Sequence, residues 1–223
     1  MIGITLIGAS GSGKSTLQEG LQVFSSRYKV FPKITTRVQR IYETNDHDYH
    51  FIDDKKFDEL IATNEFVHIK YSDFDVSRYG VKRTDLLKYL EEGLVPIFTS
   101  HSLEEAHSLT HCLNTIGVFN FCVYIFAKEE RRKAYLFDQK ENKKYFSRYY
   151  IDMAFKIQDF EKRYQDCQYF IYNNGSKVDL LMHCNIIDKF LNERINKKII
   201  PNLEIPKEVE LEINALVNTV DNG

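Results

Sequence analysis

The eight residues Gly8-Ala9-Ser10-Gly11-Ser12-Gly13-Lys14-Ser15 constrain this chain more than any other stretch. They match the pattern G-x-x-x-x-G-K-[S/T] at every fixed position, and their flanks agree with it. Residues 4–7 form a short apolar β-type run, and Leu17, Leu21 and Phe24 then recur at helical spacing. The pattern reads strand, glycine-rich loop, helix. Glycines admit backbone conformations closed to other residues, so successive N–H groups can turn inward on one anion. The start of the helix adds the positive end of its dipole. A loop so built suits a polyphosphate. The reading is a purine nucleoside triphosphate, ATP, held by Gly8, Ser10, Gly11, Ser12, Gly13, Lys14, Ser15 and Thr16. Lys14 bridges the β- and γ-phosphates in this reading, and the Ser15 hydroxyl is the protein's ligand to Mg²⁺.

The rest of the chain alternates in the same style. Helices are expected over residues 53–62, with Asp53 or Asp54 as N-cap, over 85–92, closed by Gly93, and over 102–113. Ser102 and Glu105 have the spacing of a capping box. Buried strands are expected at 95–99, at 119–126 (FNFCVYIF) and at 168–172. A long charged helical stretch is expected over 129–165 and a last core helix over 178–195. Strands alternating with helices predict an α/β fold, a parallel sheet flanked by helices. From residue 196 onward Pro201 and Pro206 bracket a linker-like stretch, and 208–220 reads as one more amphipathic helix or a polar tail.

Composition narrows the partners. Thirty Lys and Arg against 32 Asp and Glu give a formal charge of −2, whereas a generalised polyanion binder is usually basic, so nucleic acid is not an expected partner. No apolar run reaches the ~18 residues of a spanning helix, so no membrane is expected. The cysteines Cys112, Cys122, Cys167 and Cys184 include no C-x-x-C pair and read as buried thiols in a cytoplasmic protein. His107 and His111 share a helix face at i,i+4, but no third ligand stands at obvious spacing, and a surface pair is the simpler reading.

A second polar cluster runs Lys33-Ile-Thr35-Thr36-Arg37-Val-Gln-Arg40-Ile-Tyr-Glu43-Thr-Asn-Asp-His-Asp48-Tyr49-His50-Phe51. Arg37 and Arg40 offer planar forks of donors that suit a phosphate. This segment, with the P-loop before it, resembles the guanylate kinase family, whose pattern here is S-H-T-T-R-x-P-R-x-G-E-x-x-G-x-D-Y-H-F. Asn64-Glu65-Phe66-Val67-His68 looks like the family's G-E-F-[LIV]-E. Arg78-Tyr79-Gly80-Val81 looks like Y-Y-G-[ST], Tyr145-Phe146-Ser147-Arg148 falls where the family has I-x-x-R, and Ile171-Tyr172-Asn173-Asn174 resembles V-x-N-D. The resemblance covers roughly residues 1–192. It implies an ATP-dependent nucleoside monophosphate kinase with a P-loop core (1–31 and 83–195), an acceptor-binding insertion (32–82), a lid (about 131–149) and an appendage (196–223), as a monomer or homodimer. Arg37, Arg40, Tyr49 and Tyr79 match the grip on the acceptor's phosphate, and Glu43 matches an acid near it. Lys14, Arg148 and a second lid cation would neutralise the moving phosphoryl group. That cation is Arg132, or its neighbour Arg131 or Lys133. Asn173 matches a residue near the adenine.

The departures are concentrated in one half of the site. Where the family reads guanine with a carboxylate, a hydroxyl and a serine, this chain has His68, Val81 and Lys33. The strand-end D-x-D-x-Q-G run becomes Val95-Pro-Ile-Phe98-Thr-Ser100-His-Ser102-Leu103, with Phe98 and Ser100 in place of the acids. Three readings stay open: a phosphotransferase acting on GMP, a kinase for another phosphorylated acceptor such as ribose 1,5-bisphosphate, and a guanylate-kinase-like module that binds without catalysing.

Overall fold

In the computed structural model, residues 1–39, 49–72, 75–138 and 167–196 are described. Nine strands and six helices follow in order among them: β1 Ile2–Ile7, α1 Lys14–Phe24, β2 Tyr28–Val30, β3 Lys33–Thr35, β4 Tyr49–Phe51, α2 Asp54–Ala62, β5 Phe66–Tyr71, β6 Arg78–Lys82, α3 Arg83–Glu91, β7 Val95–Ser100, α4 Leu103–Thr115, β8 Phe119–Phe126, α5 Glu129–Asp138, β9 Tyr169–Tyr172 and α6 Lys177–Asn196. The expected α/β architecture is present. A five-stranded sheet has the order β2-β7-β1-β8-β9, with β2 parallel to β7 and β8 parallel to β9. A second sheet of four strands, β4-β3-β6-β5, is mixed: β3 pairs parallel to β4 and antiparallel to β6, which pairs antiparallel to β5. No described helix is long and apolar enough to cross a membrane.

The chain divides into two compact units. The first comprises Met1–Ile4, Ser26–Phe98 and His107–Asn120; the second comprises Thr5–Ser25, Thr99–Ala106 and Phe121–Gly223. In the second, Ile7, Leu103, Ala106, Cys122, Tyr124 and Cys167 form a core, with Phe126, Phe170 and Tyr172 against it. Tyr124 and Phe170 stack with centroids 5.9 Å apart, so neighbouring parallel strands carry an aromatic ladder on one face. Helix α1 packs on α6, where Cys184 is buried and its thiol lies 3.9 Å from the Leu17 carbonyl. Burial pushes that thiol up to about 11, so it stays a neutral core residue.

In the first unit the small sheet is closed by side chains as much as by its ladder. Thr35 Oγ1 donates to the Arg78 carbonyl at 2.9 Å, Arg78 N donates to Thr36 Oγ1 at 3.0 Å, and Thr36 N donates to the same carbonyl at 3.1 Å. The two threonines therefore bolt the end of β3 to the start of β6. Under the sheet, Ile34, Phe57 and Phe66 form a satellite core. Asp53 caps α2 through Lys56 N at 2.7 Å, as expected from its position. Arg78 lies over the Phe57 ring at 4.6 Å and pairs with Asp54 at 2.7 Å and with Asp58, tying α2 to β6. A second cluster, Phe31, Val81, Leu86, Phe98, Leu109, Leu113 and Val118, forms the main core of this unit.

Some elements differ from expectation. The strands of the small sheet carry no clean sequence period, and β2, β3 and β4 are three residues each, too short for a periodic signal. The helix expected over 85–92 starts two residues earlier. The expected capping box forms in half: Glu105 N donates to Ser102 Oγ at 3.1 Å, while the Glu105 carboxylate meets Ser100. Cys112 is half-buried rather than buried. The stretch expected to be helical beyond α5, and everything after α6, lie outside the described residues.

Gly80 offers a direct check of the small sheet. A methyl group there would meet the Phe66 ring, whose edge and tip atoms occupy that space. Phe66 is itself held against Phe57 at a centroid distance of 4.7 Å and has little room to yield. Gly80→Ala is expected to lower the free energy of unfolding by about 1–3 kcal/mol, read from urea denaturation.

Candidate active site

The P-loop begins at the end of β1 and feeds directly into α1. Gly13 is the N-cap of α1 with φ 107°, a left-handed conformation, and its α-carbon faces Asn173: an added Cβ would lie 2.5 Å from Asn173 Nδ2 and 2.8 Å from Leu180 Cδ2. Both the turn and the close packing thus require glycine. Asn173, at the end of β9, donates from Nδ2 to the Ser12 carbonyl at 2.8 Å in a buried contact, and its own N–H donates to Phe126 at 2.7 Å. The loop is therefore braced from β9 as well as from its own two ends. Lys14 is 9% exposed and donates to the carbonyls of Gly8 at 2.6 Å and Ala9 at 3.0 Å. Ser12 is 1% exposed, and its hydroxyl is buried with no hydrogen-bond partner. Such a group costs about 1–3 kcal/mol until something accepts from or donates to it. Ser15 is exposed, with Thr16 beside it half-buried.

The register of the small sheet assembles a second cluster. Lys33 pairs with Tyr49, Thr35 with Phe51 and Tyr79, Lys70 with Tyr79, and His68 with Val81. Cross-strand partners share a face and side chains alternate along a strand. So Lys33, Thr35, Tyr49, Phe51, Tyr79, Val81, His68 and Lys70 lie on one face. Arg37 follows β3, with its N–H donating to Thr35 Oγ1 at 3.1 Å. Its guanidinium lies over the rings of Tyr49 at 5.1 Å and Phe51 at 5.4 Å. Arg37 also hydrogen-bonds the Tyr79 hydroxyl, and the rings of Tyr49 and Tyr79 are 5.9 Å apart. Burial raises the Tyr79 phenol above its ordinary value, so it remains a donor at neutral pH. Burial acts to raise the neighbouring Asp75 carboxyl too, but hydrogen bonds from Ser77 and Ser72 and the Arg37 charge hold it below the usual range.

Three of the residues singled out in the sequence, Arg37, Tyr49 and Tyr79, are thus in mutual contact, and Lys33, 9% exposed, is in register beside Tyr49. His68 is buried and its Nε2 lies 3.2 Å from Ser108 Oγ on α4. Val81 is fully buried in the main core with Phe31 and Phe98. The hydroxyl that the sequence lacks at position 81 is replaced by packing, not by another polar contact. At the end of β7, Phe98 is likewise core, while Ser100 is fully buried with its hydroxyl 2.9 Å from Glu105 Oε2. Arg132 is buried on α5, and its neighbour Arg131 donates to the Gly175 carbonyl. Arg40, Glu43 and Arg148 lie outside the described residues. Sequence reading missed Lys70, Ser108 and the reach of Glu105. Ser108 is forty residues from His68, whereas Lys70 and Glu105 lie near their partners in sequence, and the register of β5 with β6 and the start of α4 bring them together.

The model of the guanylate kinase family matches residues 1–174. The chain belongs to the guanylate kinase family. It is 39% identical over 88 residues to the guanylate kinase of Thermobifida fusca (strain YX), a stretch that covers 40% of this chain and 44% of that one. It is 34% identical over 104 residues to the guanylate kinase of Streptomyces kasugaensis, covering 47% and 49%. The chain thus spans about half the length of the curated relatives it matches. The crystal structure of guanylate kinase from Anaplasma phagocytophilum superposes with a TM-score of 0.59 at 20% identity, covering 88% of both chains, and agrees in fold. On the family pattern read from the sequence, the P-loop and T-T-R segment match, and positions 33, 68, 81 and 100 carry other residues.

The brace on the P-loop is testable by itself. Asn173→Ala leaves the buried Ser12 carbonyl without this donor, and the unfolding free energy is expected to fall by about 1–3 kcal/mol. Chemical denaturation of the two proteins side by side measures it.

Proposed function

We propose that the protein is an ATP-dependent phosphotransferase of guanylate kinase type, which moves the γ-phosphoryl group to a small phosphorylated acceptor, GMP to GDP by default. The observation that carries this reading is the P-loop itself. Its buried lysine is satisfied by the loop's own carbonyls, and its buried Ser12 hydroxyl is orphaned. Both fit a polyphosphate, whose oxygens would take over Lys14 and satisfy Ser12. Magnesium, bound with the nucleotide, would neutralise part of the phosphate charge. Ser15 is the residue positioned by sequence to hold it, and its exposure leaves the hydroxyl accessible.

The chain's own work is then positioning and charge neutralisation. Arg37 is the phosphate fork of the acceptor site, flattened against Tyr49 and Phe51 so that its orientation is fixed before the acceptor arrives. Tyr49 and Tyr79 add hydroxyl donors, and Lys33 adds a charge. By sequence, Arg40 and Glu43 join them, and Arg132 and Arg148 act on the transferred group. In this reading residues 1–31 and 83–195 are the kinase core, about 131–149 the lid, 32–82 the acceptor insertion and 196–223 an appendage, in a cytoplasmic protein.

A second reading has a specific observation in its favour. Val81 belongs to the core and His68 is engaged by Ser108, so two guanine-reading positions of the family have changed character together. A neutral imidazole cannot match a carboxylate that accepts two hydrogen bonds, and a site stripped of its polar partners for a base loses discrimination by roughly 10⁴. An acceptor other than GMP, ribose 1,5-bisphosphate among them, follows from that change.

The test is ADP release from Mg-ATP with GMP, dGMP, AMP, CMP, UMP, TMP and ribose 1,5-bisphosphate offered singly. Turnover of GMP or dGMP alone supports the first reading, and turnover of another acceptor supports the second. ATP binding with no turnover of any acceptor overturns both and leaves a binding module. With the active acceptor, Lys14→Ala is expected to lower kcat by roughly 10²–10³, and Arg37→Ala to raise the acceptor's KM more than it lowers kcat.

A further inference from the structure

Helix α6 is apolar on two faces. Leu180, Cys184, Ile187 and Leu191 are buried and make its inner face, and the helix packs on α1. Val178, Met182 and Ile186 recur at i, i+4 and i+8. At about 100° per residue they fall on the opposite side of the helix. They are 66%, 63% and 46% exposed. A single apolar residue on a surface is ordinary, but three in file along one helix make a continuous patch. A helix with an apolar stripe on each side is built to be covered on each side. Exposed polar residues border the patch, Asp179 along one edge and Asn185 along the other, and Lys189 stands beyond its last residue.

The chain carries its own complement to this patch. α6 ends at Asn196, and Pro201 and Pro206 follow. Proline does not continue a helix, so the sequence predicts a break there. Beyond it, Val209, Ile213, Leu216, Val217 and Val220 recur at i, i+4, i+7, i+8 and i+11, the stripe of an amphipathic helix over 208–220. Glu208, Glu210 and Glu212 fall outside that stripe. The connection, residues 197–207, is long enough to turn back: eleven residues reach at most about 36 Å, and α6 from Val178 to its end is about 27 Å long. The two stripes also match in extent, about 12 Å on α6 and about 17 Å on the segment. Laid antiparallel, the acidic first turns of the segment arrive at the Lys189 end of the patch. Lys189 meets Glu193 of its own helix only at 4.0 Å, with both side chains largely exposed, an ion pair of little weight. Opposite ends of the two helix dipoles meet there as well.

We infer that residues 208–220 form a helix that docks antiparallel on the outer face of α6 in the same chain, with its apolar stripe on Val178, Met182 and Ile186. α6 then has packing on both sides, and acidic side chains replace the apolar patch as what solvent meets. Leu180 of α6 stands close to Gly13 of the P-loop, so the docked segment backs the helix that backs the loop. The inference does not depend on what the site binds.

The test is hydrogen–deuterium exchange of the full chain, read by mass spectrometry at several protein concentrations, for wild type, Met182→Glu and Ile213→Glu. Met182 is exposed and glutamate is a good helix former, so that substitution leaves α6 itself intact. In wild type the amides of 209–220 are expected to exchange roughly 10-fold to 100-fold more slowly than in a free peptide of the same sequence, at every concentration. In both variants they are expected to exchange at close to the peptide's rate. Cross-linking gives an independent readout: under mild oxidation, Met182→Cys paired with Leu216→Cys should close a disulfide within one chain, and Met182→Cys paired with Asn218→Cys, on the polar face, should not. Peptide-like exchange of 209–220 in wild type overturns the inference, and so does slow exchange that survives Met182→Glu. Protection or cross-linking found only in dimers overturns it too, and gives the face to a second copy of the chain.

Discussion

A lysine ammonium buried inside a glycine loop sets the terms for the rest of the second unit. Lys14 needs acceptors, and it takes them from the Gly8 and Ala9 carbonyls, which binds the loop into a ring around its own cation. That ring requires Gly13 in a left-handed conformation, and its tight fit requires Asn173 against it. Asn173 in turn sits where β9 ends, so the last strand of the sheet has to be in place for the first loop to close. Residues separated by 161 positions are thereby made one local structure. Loop closure over that distance is entropically expensive only logarithmically, and the buried hydrogen bond rewards it.

The small sheet follows a different rule. Its strands are short, and what aligns them is the pair of threonine hydroxyls bridging β3 and β6. Because that clamp fixes the end of β3, it also fixes the departure of Arg37 from the sheet and lays its guanidinium on Tyr49 and Phe51. The threonines of the T-T-R segment are therefore scaffolding, and they fix where the arginine leaves the sheet.

How much of this could be read from the sequence depends on distance along the chain. The strand, loop and helix around Lys14, and β8 with its apolar run from Phe121 to Phe126, are local patterns and were legible. The P-loop carries its chemistry in contiguous residues, whereas Arg37, Tyr49 and Tyr79 could be named together only through the resemblance to the guanylate kinase family. The small sheet could not be read: β3 and β4 are three residues each and have no period, and β3 pairs with β6 across more than forty residues. Ser108 beside His68 lies forty residues along the chain, while Lys70 in register with Tyr79 and Glu105 against Ser100 are near in sequence but belong to no motif. The Ser102–Glu105 spacing is instructive: a capping pattern predicts where a glutamate's backbone is held, but a nearby buried hydroxyl decides where its carboxylate goes.

The attachment of α2 has a consequence for how this protein meets its surroundings. Arg78 is largely covered and packs on Phe57, but its partners Asp54 and Asp58 are 71% and 65% exposed on their side chains. Counter-ions reach such carboxylates readily, and at about 0.15 M ionic strength screening acts within roughly 8 Å. The cation–π contact is apolar on one side and is screened far less. The helix beside the small sheet is thus held by one salt-sensitive and one salt-resistant fastening on the same arginine. In concentrated electrolyte its outer turn is expected to loosen while its inner edge stays seated, so the small sheet keeps its floor in media that strip the charges from its rim.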